Sequence, residues 1–332
     1  MLFRSAKMRN PASRYVMAGA FVAKTKSGIR VVINGAGPGV FRQAEMEKAL
    51  TANWSADAVG AVKQGAEEEA QKQGARVTFV GPPTEADVEE QVNMLTNDLA
   101  KSPDAIGFAA LDSQAAEPLL QQAKGQDIPV IAFDSGVDSD VPLTTVSTDN
   151  KAAAAEAATR MAELVGNKGK VAMVVHDQTS RSGIDRRDGF VEWMAANAPD
   201  IEVLEPQYGG GDQLESANIT KSIISANPDL KGIYASNEGS AIGVIKGVEE
   251  SGKSGLQLVG FDSGKAQVDA IRDGAMAGAV TQDPVNMGRE LVIAAMKAIK
   301  GEQDLPKTVD TGFRWYDKTN VDDEEIAAVL YE

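Results

Sequence analysis

From residue 75 onward, short apolar runs alternate with longer amphipathic segments. The apolar runs are RVTFV (76–80), AIGFAAL (105–111), IPVIAF (128–133), LTTVS (143–147), KVAMVV (170–175), IEVLEP (201–206), KGIYAS (231–236), LQLVGF (256–261) and AGAVTQ (277–282). This alternation is typical of parallel βαβ units. Because the runs are apolar almost throughout, we expect sheets that are covered by helices on both faces.

The amphipathic segments predict the helices. Segment 85–101 carries one apolar stripe with a spacing of three or four residues, formed by Val88, Val92, Leu95 and Leu99. The alanine-rich segment Asn150–Val165 follows Asp149, which we expect to cap its N-terminus, and Gly166 should end it. We expect the first helix of the pattern to begin near Ser55.

Two sets of alternating elements follow each other, with the boundary near residue 148. A chain of 332 residues with 43% hydrophobic content is long enough for two domains. Each set predicts an open, doubly wound α/β sheet. Ligands bind beyond the carboxyl ends of the strands in such sheets, so the strand ends are where the candidate site is expected.

Composition excludes several classes of function. The net charge of −15 disfavours nucleic acid, because phosphate binding needs clustered Lys and Arg. The chain has no cysteine and a single histidine, His176, which excludes disulfides, thiolate nucleophiles and multi-histidine metal sites. We predict neither a metal ion nor a cofactor.

The N-terminal region has a different composition. Residues 1–27 contain Lys and Arg but no acidic residue, around the apolar run YVMAGAFVA. The run is too short to span a bilayer. It is either a degenerate secretory signal or a basic leader.

The glycine-rich segment VVINGAGPGVF (31–41) raises the possibility of a nucleotide-binding loop. In a G-x-G-x-x-G loop counted from Gly35, the third glycine position is Val40, and Pro38 removes a backbone N–H donor. The next strand, 76–80, ends without the expected carboxylate. We therefore interpret the segment as an ordinary exit from a strand, which disfavours a nucleotide-dependent oxidoreductase.

Polar side chains follow five of the apolar runs directly or closely. These residues are Asp112, Asp134, Asn237, Asp262 and Gln282. Each is either a cap of the following helix or a ligand-binding group. Because Gln is not a favoured helix cap, the capping interpretation is weaker for the set as a whole than for any single member, and both interpretations stay open.

The segment HDQTSRSGIDRRDGF places Arg181, Arg186 and Arg187 at the exit of the strand 170–175. Such an arginine is either a solvated surface charge or a donor to a polar ligand. Carboxylates and amides that converge with one arginine suit a polyhydroxylated molecule, because each hydroxyl both donates and accepts.

Several of these motifs resemble the periplasmic sugar-binding proteins of the ribose and galactose type, which are soluble receptors of bacterial ABC importers. The similar segments, in the family's order, are IPVIAFDSGVDSD, VSTDN, SGIDRRDGF, DLKGIYASNEGSAIGVIKGVEESG, LQLVGFDS, GAMAGAVTQDPVNMGR and GEQDLPKTVDTG. The resemblance as a whole covers residues 60–320. The resemblance implies the periplasmic binding protein type I fold, with two lobes joined by a three-segment hinge.

The resemblance also implies the domain boundaries and the ligand contacts. One lobe would contain 28–148 and 283–309, and the other 149–282 and 310–332. The implied ligand contacts are Asp134, Arg186, Asn237, Asp262 and Gln282, with Asp112 as a further candidate. The expected function is non-catalytic binding of a sugar or polyol in the cleft. A periplasmic monomer would deliver it by hinge closure to an ABC transporter permease.

The N-terminal region departs from the family pattern. Residues 34–54 intervene before the first helix, and the aromatic side chain that stacks on the sugar is missing from its usual place, where Phe41 or Trp54 would have to substitute. A second class with these motifs is the ligand-sensing core of LacI-type regulators. It requires a helix-turn-helix of about 50–60 residues ahead of the core, which the leader does not provide.

Overall fold

The computed structural model describes residues 30–34, 56–302 and 304–331, which form two α/β lobes. In chain order the elements are β1 (Arg30–Asn34), α1 (Ala56–Lys72), β2 (Arg76–Val80), α2 (Val88–Leu99), β3 (Ile106–Phe108), α3 (Glu117–Gly125), β4 (Val130–Phe133), β5 (Thr145–Ser147), α4 (Asn150–Val165), β6 (Gly169–Val175), α5 (Arg181–Asn197), β7 (Ile201–Val203), β8 (Gln207–Tyr208), α6 (Gln213–Ala226), β9 (Leu230–Ala235), α7 (Glu238–Ser251), β10 (Gln257–Phe261), α8 (Lys265–Asp273), β11 (Gly278–Gln282), α9 (Pro284–Ile299), β12 (Thr308–Asp310), β13 (Phe313–Asp317) and α10 (Glu324–Ala327). The leader and the glycine-rich segment after Asn34 lie outside the described residues.

The first lobe is built on a parallel sheet with the strand order β12-β5-β4-β3-β1-β2. The second lobe is built on a sheet with the order β13-β11-β10-β9-β6-β7, and β8 also pairs with β6. The pairs of this second sheet are parallel except at one edge, where β13 runs antiparallel to β11. Our prediction of parallel sheets therefore holds for both lobes apart from this edge strand.

Strand β6 shows why the strands are apolar almost throughout. Val171, Met173 and Val175 pack into the core beneath α4 and α5, whereas Ala172 and Val174 pack into the core beneath α6, α7 and α8. Successive side chains of a strand point to opposite faces, so a strand with helices on both sides needs apolar residues at every position. Burial of one aliphatic side chain of this size stabilises the fold by about 1.5–3 kcal/mol.

The helix signals in the sequence are largely confirmed. Helix α4 begins after Asp149, whose Oδ1 accepts a hydrogen bond from the backbone N–H of Ala152 at 3.0 Å, and Gly166 ends it with φ 75°. The predicted helix 85–101 is shorter than expected, because Asp87 accepts from the backbone N–H and the hydroxyl of Thr84 and holds the preceding residues in a turn.

The chain crosses between the two sheets three times, after β5, after β11 and after β12. Two of these crossings are hydrogen-bonded to each other. The backbone N–H of Thr311 donates to the carbonyl of Ser147 at 3.0 Å, and the backbone N–H of Asp149 donates to Asp310 Oδ1 at 3.3 Å. The connections after β5 and β12 therefore lie side by side, at the carboxyl ends of these two strands.

Candidate functional site

A cavity lies between the lobes, where the strands of both sheets end. Its polar lining consists of Glu85, Asp134, Ser135, His176, Asp177, Ser180, Ser182, Arg186, Asn237, Asp262 and Gln282. The apolar lining consists of Ala58, Val62, Phe79, Ala110, Leu111, Phe133, Pro284, Met287 and the ring of Tyr331. An apolar wall with a few converging polar groups is typical of small-molecule sites.

The cavity brings together most of the residues that the sequence predicted. Asp134, Arg186, Asn237, Asp262 and Gln282 all belong to its lining. Asp112 lies outside the lining, and its Oδ1 accepts hydrogen bonds from the backbone N–H groups of the second and third residues after it. Its carboxylate thus caps a turn.

Asp134 and Asp262 occupy equivalent positions in the two lobes. Each directly follows the last residue of a strand and has a positive φ, 49° for Asp134 and 78° for Asp262. Their backbone N–H groups donate to the neighbouring strand, to Val146 and Val280 respectively, at 2.9 and 2.7 Å. Non-glycine residues in this region of φ concentrate at functional sites. The conformation fixes where both carboxylates stand.

The Asp262 carboxylate is embedded in hydrogen bonds within the second lobe. Its Oδ1 accepts from Gln282 Nε2 at 2.8 Å, and its Oδ2 accepts from the backbone N–H of Glu238 at 3.1 Å. Arg186 Nη1 lies 3.7 Å from the same Oδ2. On the first lobe, burial raises the pKa of Asp134, and the attraction of Arg186 opposes that rise.

Arg186 is buried and held in one orientation. Its Nε donates to Asn150 Oδ1 at 2.8 Å, and its Nη1 donates to the carbonyl of Ser236 at 2.9 Å. The guanidinium carbon lies 3.7 Å from the centroid of the Phe261 ring. A planar cation that is stacked and doubly hydrogen-bonded is pre-organised to donate to a polar ligand.

His176 lines the cavity as a buried neutral ring. Its Nδ1 lies 2.7 Å from Ser236 Oγ, and its Nε2 lies 3.4 Å from Ser182 Oγ and 3.5 Å from Asp177 Oδ2. Burial lowers the pKa of His176, and the nearby Asp177 carboxylate opposes that change. Ser236 therefore faces one nitrogen of the ring, whereas Ser182 and the Asp177 carboxylate face the other.

Two acidic residues of the lining escaped the sequence analysis. Glu85 lies in the loop after β2, and its Oε2 accepts a hydrogen bond from Asn237 Nδ2 of the other lobe at 3.2 Å. Asp177 follows His176 directly, and its Oδ1 accepts from the backbone N–H of Ser180. The sequence analysis selected polar residues that follow an apolar run. Glu85 and Asp177 do not follow such a run directly, so they were not selected.

The apolar wall supplies aromatic rings where the sequence offered only Phe41 or Trp54, both of which lie outside the described residues. Phe79, Phe133 and Tyr331 line the cavity. The hydroxyl of Tyr331 accepts from the backbone N–H of Ser263 at 2.9 Å. Aromatic residues therefore form part of the apolar wall.

The described residues contain no group of three or more His, Cys, Asp or Glu side chains arranged to hold a metal ion. Among the helices in the described part of the chain, none has both the length and the apolar character needed to span a membrane.

Comparison with known proteins gives the same picture as the geometry. A family model described as periplasmic binding protein domain matches residues 25–303. The chain is 27% identical over 247 residues to the ribose import binding protein RbsB of Escherichia coli (strain K12), covering 73% of this chain and 80% of that protein.

Two solved structures of solute-binding proteins are also similar. An ABC transporter solute-binding protein from Agrobacterium vitis, with bound D-fucose, superposes with a TM-score of 0.80 at 33% identity, covering 84% of this chain and 98% of that one. A carbohydrate transporter solute-binding protein from Agrobacterium radiobacter, in complex with D-arabinose, gives a TM-score of 0.79 at 30% identity, covering 84% and 96%.

Proposed function

The chain belongs to the periplasmic binding protein domain family, and from this premise we propose that it is a non-catalytic receptor for a neutral monosaccharide or a related polyol. The observation that carries the proposal is the interlobe cavity, into which both lobes direct carboxylate groups around one buried arginine. Sugar hydroxyls donate to carboxylates and accept from the guanidinium and the amides. The excess of acidic groups disfavours an anionic ligand.

The proposed ligand contacts are Asp134, Arg186, Asn237, Asp262 and Gln282. Their position in the lining supports this assignment, as do the hydrogen bonds that hold Arg186 and Asp262 in place. A ligand of monosaccharide size is consistent with the sugars in the names of the similar proteins, which include ribose, D-fucose and D-arabinose.

The proposed mechanism is closure of the two lobes about the hinge. We assign 28–148 and 283–309 to the first lobe and 149–282 and 310–332 to the second. A ligand that contacts both lobes makes its full set of hydrogen bonds only when the cleft is closed. It shifts the equilibrium toward the closed form by that difference in affinity.

The proposed partner is the permease of an ABC importer, which the closed receptor would meet at the membrane surface. Names such as ribose import binding protein and ABC transporter solute-binding protein support this partner. The family description, periplasmic binding protein domain, supports a periplasmic location. We propose that the receptor is a monomer that binds neither nucleic acid nor a cofactor. The net charge of −15 supports the exclusion of nucleic acid.

A thermal-shift screen tests the proposal, followed by calorimetric titration of any sugar that raises the melting temperature. The neutral probes are D-ribose, D-allose, D-fucose, D-arabinose and xylitol, and the matched anionic control is D-glucuronate. A ligand at a hundred times its Kd adds about 2.7 kcal/mol to the free energy of unfolding. Stabilisation by a neutral sugar and not by D-glucuronate is expected. Stabilisation by NAD⁺ alone would contradict the proposal.

A further inference from the structure

Glu85 reaches from the first lobe across the cleft to the second. It lies in the loop after β2, and its Oε2 accepts a hydrogen bond from Asn237 Nδ2 at 3.2 Å. Asn237 is the N-cap of α7, where its Oδ1 accepts from the backbone N–H of Ser240 at 2.9 Å. The Asn237 amide is therefore held by its own helix on one side and by the opposite lobe on the other.

Because Gly211 has no side chain, it leaves room for the Glu85 carboxylate against the second lobe. A Cβ added to Gly211 would lie 2.5 Å from Glu85 Oε2, too close for an unbonded contact. The neighbouring Gly210 has a similar positive φ, 64° against 69°, but a Cβ added there would meet nothing within 4 Å. A side chain at Gly210 therefore meets only the cost of the positive φ. A side chain at Gly211 meets that cost and also the clash with Glu85.

The hydrogen bond between Glu85 and Asn237 also lies at the boundary between two cavities. Glu85, Asn237 and Asp262 line the candidate ligand cavity and also a second cavity on the side of Gly211. The Glu85–Asn237 hydrogen bond therefore joins the lobes next to the space in which the ligand would sit.

Resting on the proposed function, we propose that Glu85 is a positioning residue for ligand capture, which holds the Asn237 side chain beside the ligand when the lobes close. Glu85 acts through its hydrogen bond to Asn237, and the space above Gly211 allows its carboxyl to reach that position. Loss of the Glu85 carboxyl removes the hydrogen bond that fixes this amide from the first lobe. A side chain at position 211 would fill the space of the Glu85 carboxyl and prevent the same hydrogen bond from forming.

The surroundings of Glu85 link this contact to protonation. The charged groups around it are Asp134, Asp177, Arg186, Asp212, Glu238 and Asp262. Burial, together with the repulsion of Asp177, Asp262 and Asp134, raises the pKa of Glu85 to about 8, and the attraction of Arg186 opposes that rise. The neutral carboxyl is therefore the form that fits the closed cleft at neutral pH.

The sign of the pH dependence of ligand affinity follows from the difference between the pKa of Glu85 in the closed and in the open cleft. With its carboxyl buried between the lobes, Glu85 has a pKa of about 8. Opening of the cleft would expose this carboxyl to solvent and return its pKa toward the ordinary value of 4.5. Closure therefore takes up a proton between these values. The contribution of Glu85 to affinity is fully present below pH 4.5, decreases as the pH rises toward 8 by at most about tenfold per pH unit, and is constant above it.

The test uses the full chain, with D-ribose and D-fucose as probes in calorimetric titrations between about pH 5.5 and pH 8.5. We expect wild-type affinity to fall about tenfold or more between pH 5.5 and 7.5, while Glu85→Gln, which mimics the neutral carboxyl, changes less than about threefold. At pH 5.5 Glu85→Gln should bind within about threefold of wild type, and Glu85→Ala about tenfold more weakly. Because His176 is common to both proteins, the comparison with Glu85→Gln isolates the Glu85 contribution.

Substitutions of Gly210 and Gly211 provide the second part of the test. Gly211→Ala should weaken binding about tenfold, whereas Gly210→Ala should stay within about threefold of wild type. In the Glu85→Ala background, Gly211→Ala should have little further effect. Coincident pH profiles of wild type and Glu85→Gln, or equal losses from the two glycine substitutions, would overturn this inference alone. A wild-type protein that binds no sugar at any pH would overturn the proposed function and the inference with it.

Discussion

Replacement of Asp262 by Asn should weaken sugar binding without disrupting the fold. The side chain keeps its size, and Asn tolerates the positive φ of 78° at this position. The Asp262 carboxylate accepts from Gln282 Nε2 on one oxygen and from the backbone N–H of Glu238 on the other. An amide has a single oxygen, so in the variant one of these two donors faces an NH₂ group.

The size of the effect follows from what the ligand loses. A sugar hydroxyl that donates to the carboxylate would donate to a neutral oxygen instead, and Arg186, 3.7 Å away, would lose its counter-charge. A hydrogen bond to a charged group contributes about 1.5–3 kcal/mol, which corresponds to an increase in Kd of about 10- to 150-fold.

Calorimetric titration with the best sugar of the screen measures this change. The matched control is Asp112→Asn, which removes the same charge near a strand end but outside the cavity lining. The control should bind like wild type, and the melting temperatures of both variants should stay within about 4 °C of wild type. Wild-type affinity in Asp262→Asn, or an equal loss in Asp112→Asn, would refute the assignment of Asp262 to the ligand.

Two further predictions concern the arginine and the packing of the first lobe. Arg186→Lys should raise the sugar Kd about tenfold or more, because an ammonium cannot reproduce the fork that donates to Asn150; calorimetry with unchanged Kd would contradict this. Gly288→Ala should destabilise the protein by about 1–3 kcal/mol in urea unfolding, since its Cβ would collide with the carbonyl of Val62. The control Gly60→Ala, in open space on the same helix as Val62, should be neutral or stabilising by up to about 1 kcal/mol.

The fold could be predicted from the sequence because its signals are local and repeated. Apolar runs such as those of β4 and β10 set the period-two pattern of buried strands, and the segments between them set the helices. The caps followed from single residues, as Asp149 and Gly166 show. The antiparallel edge strand β13 was not predicted, because its direction depends on how the chain turns after the last crossing.

The sequence also located most of the candidate site, because parallel strands end at the same edge of a sheet. Asp134 and Asp262, which follow their strands immediately, line the cavity. Asp112 obeys the same rule in the sequence, but β3 ends at Phe108, and two of the residues between them, Ala110 and Leu111, line the cavity instead. The Asp112 carboxylate lies one residue further on, where it accepts from the backbone of the following turn. The length of a strand depends on its pairing partners and is not encoded in the run itself.

Glu85 marks what only the tertiary structure decides. In the sequence it is the first residue of the predicted helix 85–101, a position where an acidic side chain is normally solvated. In the structure the helix begins only at Val88, and Glu85 lies in the loop before it. Its importance arises from the second lobe, which supplies Asn237 and the space above Gly211. Burial raises the pKa of Glu85, and Asp177 and Asp262 of the second lobe add to this rise. Sequence patterns describe each lobe separately, because they report burial and turns along the chain. The groups that meet across the cleft are decided by how the hinge places one lobe against the other.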